Sequence, residues 1–149
     1  MLWRTHLVTG LAAGYLIAGY EPVFLALAGF GSLLPDIDSP RSHLGRKIPL
    51  LPALLKGTVG HRGALHSLAA GFGIAVLAGI FGGPRTGLAL AAGYLAHLAG
   101  DILTNSGVPL FWPLKTKVKL SLFKTGGIVE KVLVFPALLL GLAGLCLIK

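Results

Sequence analysis

Long apolar runs separated by short polar connections constrain the fold of this chain more than any other feature. A helix that spans a bilayer needs about 20 mostly apolar residues, within a range of about 17–25, and the runs at residues 63–81, 87–104 and 128–148 qualify. Charged residues make up 12% of the 149 residues, about half of the roughly 25% that is usual in soluble domains. The sequence therefore predicts one all-α domain over residues 1–149, a multi-pass membrane bundle of about five helices.

The first two helices must share the apolar region at residues 7–34, which contains one charged residue, Glu21, followed by Pro22. Proline is favoured at the first position of a helix and disfavoured inside one. We therefore predict two short helices at about 3–19 and 22–34. One long tilted helix is the alternative.

Basic residues are concentrated in the connections on one side of this arrangement. Only Arg85 and Lys149, of the 13 Lys and Arg residues, fall on the other side. Because positive residues favour the cytoplasmic side, we predict a multi-pass protein of the inner membrane with a cytoplasmic N-terminus. The basic connection at 114–124 also alternates polar and apolar residues, which predicts a short β-like segment. This placement of charge favours membrane lipids as partners, and we infer no nucleic-acid partner.

Five patches of metal-ligand residues stand at the edges of the apolar runs, and the two-helix topology brings all of them to one face. Ionisable groups within a membrane are costly and usually functional. Imidazole and carboxylate ligands without thiolate suit zinc, with manganese or iron as alternatives. We expect two or three divalent ions. The metal ligands would be His6, Asp36, Asp38, His61, His66, His97 and Asp101, with Glu130 as a further carboxylate.

Each patch also admits a structural interpretation. His97 and Asp101 are four residues apart on one helix face, which suits one divalent ion or a buried His–Asp hydrogen bond. Asp36 and Asp38 repel each other unless a cation or a proton lies nearby, although helix capping or solvation would also explain them. His6 joins the site only if residues 7–34 form two helices.

The candidate catalytic carboxylates are Asp38 and Glu130. One of the paired aspartates could bridge two metals. Glu130 would be a ligand or a general base, or would instead pair with Lys131 or Lys124. The chain contains no Gly-x-Ser-x-Gly elbow, so metal-activated water is the expected nucleophile.

The remaining polar residues suit an anionic substrate. His61 and His66 are five apart, and His61 can bend back toward the site if a helix begins at Gly63. Arg62 lies beside them, near a helix N-terminus that would attract anions. Ordinary positive-inside anchoring is the alternative for all the candidate phosphate-binding residues: Arg62, Lys115, Lys117 and Lys119.

Four motifs carry a resemblance to a known family. They are His6 near the N-terminus, Gly31-Ser-Leu-Leu-Pro-Asp-Ile-Asp-Ser-Pro, His61-Arg-Gly-x-x-His66-Ser, and His97-x-x-x-Asp101-x-x-Thr104-x-x-Gly107. In them, roughly over residues 1–131, the chain resembles the YdjM family of inner-membrane-associated, metal-dependent hydrolases. The resemblance implies a multi-pass membrane protein with a hydrolase site on the His and Asp residues of these motifs.

A more distant similarity concerns the order of the ligands. The succession Asp, His, His-x-x-x-Asp and Glu, with Trp3 near the start, is similar to the zinc-dependent phospholipase C family. Those helical enzymes cleave phospholipid head groups with a zinc cluster. The similarity implies a phosphate-ester substrate.

The favoured function is therefore a membrane-bound, metal-dependent hydrolase of a phosphate ester or phospholipid at the cytoplasmic face. The alternative is a metal-ion or proton-coupled membrane transporter, although transporters place their ligands near the membrane midplane. A third hypothesis is a non-catalytic scaffold with structural His–Asp pairs, which would hold no stoichiometric metal.

Overall fold

The computed structural model describes residues 1–38, 63–114 and 116–147, which are mostly helical and form no sheet. This confirms the all-α architecture of about five helices. The helices are α1 (Trp3–Ala18), α2 (Pro22–Gly31), α3 (Leu68–Gly82), α4 (Pro84–Leu103) and α5 (Phe135–Leu147). Short 3-10 turns at Leu34–Asp38 and Ala64–His66 flank the undescribed connection, and a π-helical turn at Glu130–Val134 leads into α5.

The apolar region at residues 7–34 forms two helices, as predicted from Pro22. Gly19 ends α1 with a φ of 63°, and Pro22 occupies the first turn of α2. Glu21, in the turn between them, pairs with Arg85 at the start of α4. This contact places the α1–α2 turn and the α3–α4 turn at the same end of the bundle. His6 therefore lies at the opposite end.

Two predicted helix boundaries were wrong by several residues. α2 ends at Gly31 rather than at residue 34, because the Ser32 hydroxyl bonds back to the Gly29 carbonyl at 2.7 Å and the chain then enters the 3-10 turn at Leu34. α3 begins at Leu68 rather than at residue 63, because the Ser67 hydroxyl accepts a hydrogen bond from the Ala70 amide at 3.2 Å and caps the helix there.

The backbones of α2 and α4 pack directly on each other. A Cβ atom at Gly31 would lie 2.5 Å from the Leu90 carbonyl oxygen, and one at Gly93 would overlap the carbonyl of Ala28. Small residues permit this close approach between helices in a bilayer. As a result, the chain that leaves α2 at Ser32 lies against the last turns of α4.

The alternating segment is β-like, as predicted, but it forms isolated bridges. Val118 pairs with Val108 through two backbone hydrogen bonds of 3.1 and 2.9 Å, and Phe123 bridges to Thr104. Gly107 allows the turn between Thr104 and Val108, because its φ is 62° and a Cβ atom there would lie 2.9 Å from the Val118 carbonyl oxygen. The segment thus closes over the end of α4.

Among the described residues, two helices are long and apolar enough to cross a membrane by length and composition, Pro84–Leu103 and Glu130–Leu147. Half of the first is buried in the bundle, whereas very little of the second is buried. Leu140 and Leu147 on α5 are 74% and 83% exposed, and Phe81 at the end of α3 is 86% exposed. Large apolar side chains exposed in this way suit contact with a membrane or another protein.

Candidate metal centre

Three histidines and two aspartates from four separate elements meet at one end of the bundle. His6 comes from the first turns of α1, Asp36 and His66 from the two 3-10 turns, and His97 and Asp101 from the end of α4. Ligand atoms of His6, Asp36 and His97 lie within 4.8 Å of one another, as do those of His66, His97 and Asp101. Because His97 belongs to both groups, the five residues form a single cluster.

His97 lies at the centre of this cluster and is fully buried. Its Nδ1 atom is 2.7 Å from the Ser32 carbonyl oxygen. A carbonyl oxygen only accepts, so Nδ1 carries the hydrogen and Nε2 is left with a lone pair. That Nε2 atom has no hydrogen-bond partner among the described residues and lies 3.6 Å from Asp101 Oδ2. A lone pair thus faces a carboxylate, an arrangement that a cation between them would stabilise.

His6 approaches the same carboxylate from α1. Its ring stacks on that of His97, with centroids 3.7 Å apart and an interplanar angle of 12°. His6 Nε2 lies 3.2 Å from Asp101 Oδ1 but outside hydrogen-bond geometry, so both of its ring nitrogens lack a hydrogen bond within the described part of the chain. The α1 helix therefore brings a second imidazole to Asp101.

His66 and Asp36 complete the cluster on its more open side. His66 Nε2 is 3.6 Å from Asp36 Oδ1, and its ring meets the His97 ring edge-on at 5.3 Å. Burial raises the pKa of the Asp36 carboxyl, but the contact with His66 and the neighbouring imidazoles of His97 and His6 lower it by more, to about 2. Asp36 is therefore a carboxylate anion at neutral pH.

Asp101 attracts positive charge. The amino group of Met1 pairs with Asp101 Oδ1, and the main chain of Asp101 is fixed by Thr104. The Thr104 hydroxyl and amide both donate to the Asp101 carbonyl oxygen, at 2.9 and 3.1 Å. These bonds hold the end of α4 so that the Asp101 carboxylate points into the cluster.

Glu130 is fully buried but occupies a different position. Its Oε1 atom accepts from the Leu2 amide at 2.6 Å and from the Thr5 hydroxyl at 2.9 Å, and its Oε2 atom accepts from the Gly126 amide at 2.7 Å. Neither Lys131 nor Lys124 is the partner of this carboxylate. Glu130 anchors the start of α1, and its assignment as a catalytic group stays a prediction.

Other predicted residues cannot be placed in the cluster. His61, Arg62 and Lys115 lie outside the described residues, as does the side chain of Asp38, whose backbone belongs to the 3-10 turn. Lys117 and Lys119 are exposed on the extended segment. Their proposed roles as ligands or phosphate contacts stay predictions.

Some functional contacts were not predicted from the residues. The Ser32 carbonyl fixes the His97 ring, Thr5 bonds to Glu130, and Thr104 holds Asp101. Ser32 and Thr104 lie within the motifs that carry the family resemblance, and this position was the one sequence feature that could have indicated their roles. A main-chain carbonyl carries no signal of its own in a sequence.

The donor set fits a divalent cation. An unsatisfied buried polar group costs roughly 1–3 kcal/mol, and four ring nitrogens here have no hydrogen bond among the described residues: His6 Nδ1, His6 Nε2, His66 Nδ1 and His97 Nε2. Neutral imidazoles with carboxylates form typical zinc sites, and a hydrogen bond from the second ring nitrogen to a carbonyl is the usual support of a ligating histidine.

Comparisons with known proteins identify the family of this chain. Residues 1–147 match the family model described as YdjM inner membrane protein. The uncharacterized protein YvsG of Bacillus subtilis is 32% identical over 138 residues, which cover 89% of this chain and 86% of that protein. The inner membrane proteins YdjM of Escherichia coli and Shigella flexneri are each 40% identical over 96 residues, which cover 59% of this chain and 48% of theirs.

The matched residues thus span about half the length of the two YdjM proteins, and no solved structure matches the chain. The names of these relatives state a membrane location or none, and no activity. The similarity to zinc-dependent phospholipase C stays a prediction, whereas the resemblance to the YdjM family is confirmed. The chain belongs to the YdjM family of inner membrane proteins.

Proposed function

We propose that this protein is a membrane-bound, metal-dependent hydrolase of a phosphate ester or phospholipid that works at the cytoplasmic face. One observation carries the proposal: two buried imidazole nitrogens without hydrogen bonds among the described residues, His6 Nε2 and His97 Nε2, lie 3.2 and 3.6 Å from the Asp101 carboxylate. A buried His–Asp hydrogen-bond network would satisfy these nitrogens. The pattern instead suits ligands arranged around a cation.

The described ligands favour one ion held through His97. Its Nδ1 hydrogen is committed to Ser32, so His97 offers a single ligand nitrogen, Nε2. His6, His66, Asp36 and Asp101 would supply the other ligand atoms. Two or three ions, as the sequence predicts, would require Asp38 and His61 as additional ligands. Zinc suits this set best, and manganese or iron would also bind it.

A divalent ion in such a site lowers the pKa of water toward neutrality and stabilises the charge of a phosphoryl transition state. The protein residues hold and orient this centre. A ligand oxygen of Asp36 lies within 4.8 Å of the ligand atoms of His6 and His97, so Asp36 suits a ligand better than a general base. With the Glu130 carboxylate engaged by three donors, Asp38 is the better candidate to accept the proton.

The position of the cluster supports a lipid substrate. The cluster lies at the end of α4, and the Glu21–Arg85 pair lies at the other end of the bundle, so the site is away from the midplane that transporters use. With a rise of 1.5 Å per residue, α1 and α3 are about 24 and 22 Å long, less than the roughly 30 Å hydrocarbon core. If the bundle spans the membrane, the bilayer must thin around such short helices, which would bring the lipid phosphates toward a site at the end of the bundle.

The hydrolase is tested with purified protein and three substrate classes: a phosphatidate, an isoprenyl phosphate and a soluble phosphate ester. We expect metal-dependent release of phosphate from at least one lipid by wild type. His97→Ala and Asp101→Ala should lower kcat/KM at least about 100-fold, since each removes a ligand. His43→Ala removes the one histidine outside the predicted ligand set; it is the matched control and should keep wild-type activity.

Two results would contradict the proposal. Metal-loaded wild type that releases no phosphate but carries ions across liposomes would favour transport. Equal activity in His97→Ala and wild type would show that the cluster has no catalytic role.

A further inference from the structure

A cavity of about 540 Å³ opens beside the metal centre, between the start of α1 and the start of the last helix. It is lined by Leu2, Trp3, Arg4, Thr5, Lys131 and Phe135. Its volume falls within the range of roughly 300–1,000 Å³ typical of small-molecule sites. The candidate substrate residues predicted from the sequence are not among those that line it.

Two cations stand at this cavity without an acidic partner. Arg4 and Lys131 are both exposed, and neither has a carboxylate partner among the residues that the structure describes. The adjacent carboxylate, Glu130, is turned toward Leu2, Thr5 and Gly126. Arg4 instead places its guanidinium over the Trp3 ring, 5.5 Å from the centroid. The cavity therefore has uncompensated positive charge.

Three of the other four lining residues are apolar: Leu2, Trp3 and Phe135. Phe135 lines the cavity and is the first residue of α5, a helix with no buried residues. A ligand whose charged end lies between Arg4 and Lys131 could extend an acyl chain along this surface. Tryptophan is also enriched at the membrane–water interface, where the lipid head groups lie, and Trp3 lines this cavity.

We propose that this cavity binds an anionic phospholipid, with its phosphate between Arg4 and Lys131 and an acyl chain against Trp3 and Phe135. The binding needs no metal and does not depend on the hydrolase proposed above. Thr5 lines the cavity and directly precedes the metal-cluster residue His6, so the bound lipid lies beside the first turns of α1. A basic residue near an anionic lipid surface typically contributes enough to change affinity about fivefold.

The test uses the fluorescence of Trp3 in full-length protein that carries Trp112→Phe, purified in a neutral detergent. The probes are dihexanoyl phosphatidic acid, dihexanoyl phosphatidylcholine and inorganic phosphate. We expect a saturable change with phosphatidic acid, with a Kd at least about tenfold lower than for the other two probes. Arg4→Gln with Lys131→Gln should raise that Kd roughly 20-fold, since both charges are lost.

Two controls separate this site from general charge and from misfolding. Lys124→Gln removes an exposed lysine that does not line the cavity and should leave the Kd unchanged. Arg4→Lys should keep most of the affinity, and an unchanged elution volume verifies folding of every variant. Metal content is measured in parallel and should be the same in the Arg4 and Lys131 variants, so failure here leaves the hydrolase proposal standing.

Three results would overturn the proposal. Equal affinity for phosphatidylcholine would remove the role of charge. Inorganic phosphate binding as tightly as phosphatidic acid would show a site for free phosphate with no acyl contact. An unchanged Kd in the double variant of Arg4 and Lys131 would place lipid binding elsewhere.

Discussion

At the residue scale, the tautomer of His97 decides what the cluster can bind. The Ser32 carbonyl takes the Nδ1 hydrogen, and the free Nε2 lone pair points toward a carboxylate 3.6 Å away. A cation held between this lone pair and the carboxylate would satisfy both groups.

The residue-scale prediction for Glu130 separates a structural role from a catalytic one. Glu130→Gln keeps the shape but loses the charge that three donors share. Because bonds to a charged group contribute roughly 1.5–3 kcal/mol, we expect the free energy of unfolding to fall by about that amount. Thermal unfolding in detergent measures this change. A variant with wild-type stability and a kcat reduced more than about 100-fold would instead identify a general base.

A second residue-scale prediction concerns Thr104. Thr104→Val removes the buried hydroxyl that donates to Asp101 while keeping a similar volume. We expect a loss of about 1 kcal/mol in stability and a weaker metal affinity, by about 10–100-fold. Thr104→Ser is the control and should retain both properties. Metal titration of the two variants would contradict the account if both bound metal like wild type.

At the element scale, the contact between α2 and α4 sets the geometry of the site. It brings the Ser32 carbonyl to His97, and it depends on residues without room for a Cβ atom, above all Gly93. The site is therefore sensitive to helix packing one turn away from any ligand.

Gly93→Ala tests this dependence. The added methyl group would overlap the Ala28 carbonyl, so the helices must separate, at a cost of about 1–3 kcal/mol typical of overpacking. We expect a lower unfolding temperature and reduced metal content. Gly141→Ala is the matched control, because nothing lies within 4 Å of a Cβ atom there. Equal stability of the two variants would contradict direct packing of α2 on α4.

The elements were largely predictable from sequence, and their ends were not. Pro22 correctly divided the first apolar region, because proline acts locally on its own backbone. The ends of α2 and the start of α3 depend on side-chain bonds of Ser32 and Ser67 to nearby backbone groups. The Ser32 bond ends one helix and the Ser67 bond caps the start of another, and the spacing of apolar residues predicts neither bond.

At the scale of the whole molecule, one end of the bundle carries the cluster and the other carries the Glu21–Arg85 pair. The convergence of His6, His66 and His97 followed from counting helices, since an even number of passes returns a chain to the same side. The roles inside the cluster could not be predicted, because they depend on ring orientation and on main-chain partners. Glu130 shows this most clearly. The helix count predicted the correct end of the bundle for it, but not that its carboxylate accepts hydrogen bonds from Leu2, Thr5 and Gly126.

The proposed orientation predicts the side of each loop. Reporter fusions after Tyr20 and at Arg85 should lie outside the cytoplasm, and a fusion at Lys119 should lie inside, because the basic residues stay with the cluster. Paired reporters that are active on opposite sides of the membrane make the measurement. A cytoplasmic signal at Tyr20 or Arg85 would contradict the orientation, and with it a site on the cytoplasmic face.

The metal content of the purified protein tests the central claim most directly. Elemental analysis of wild type should find at least one zinc, manganese or iron ion per chain. His97→Ala and Asp101→Ala should fall to background, and His43→Ala should match wild type. Wild-type protein that is folded, binds no added zinc and remains metal-free would contradict the account.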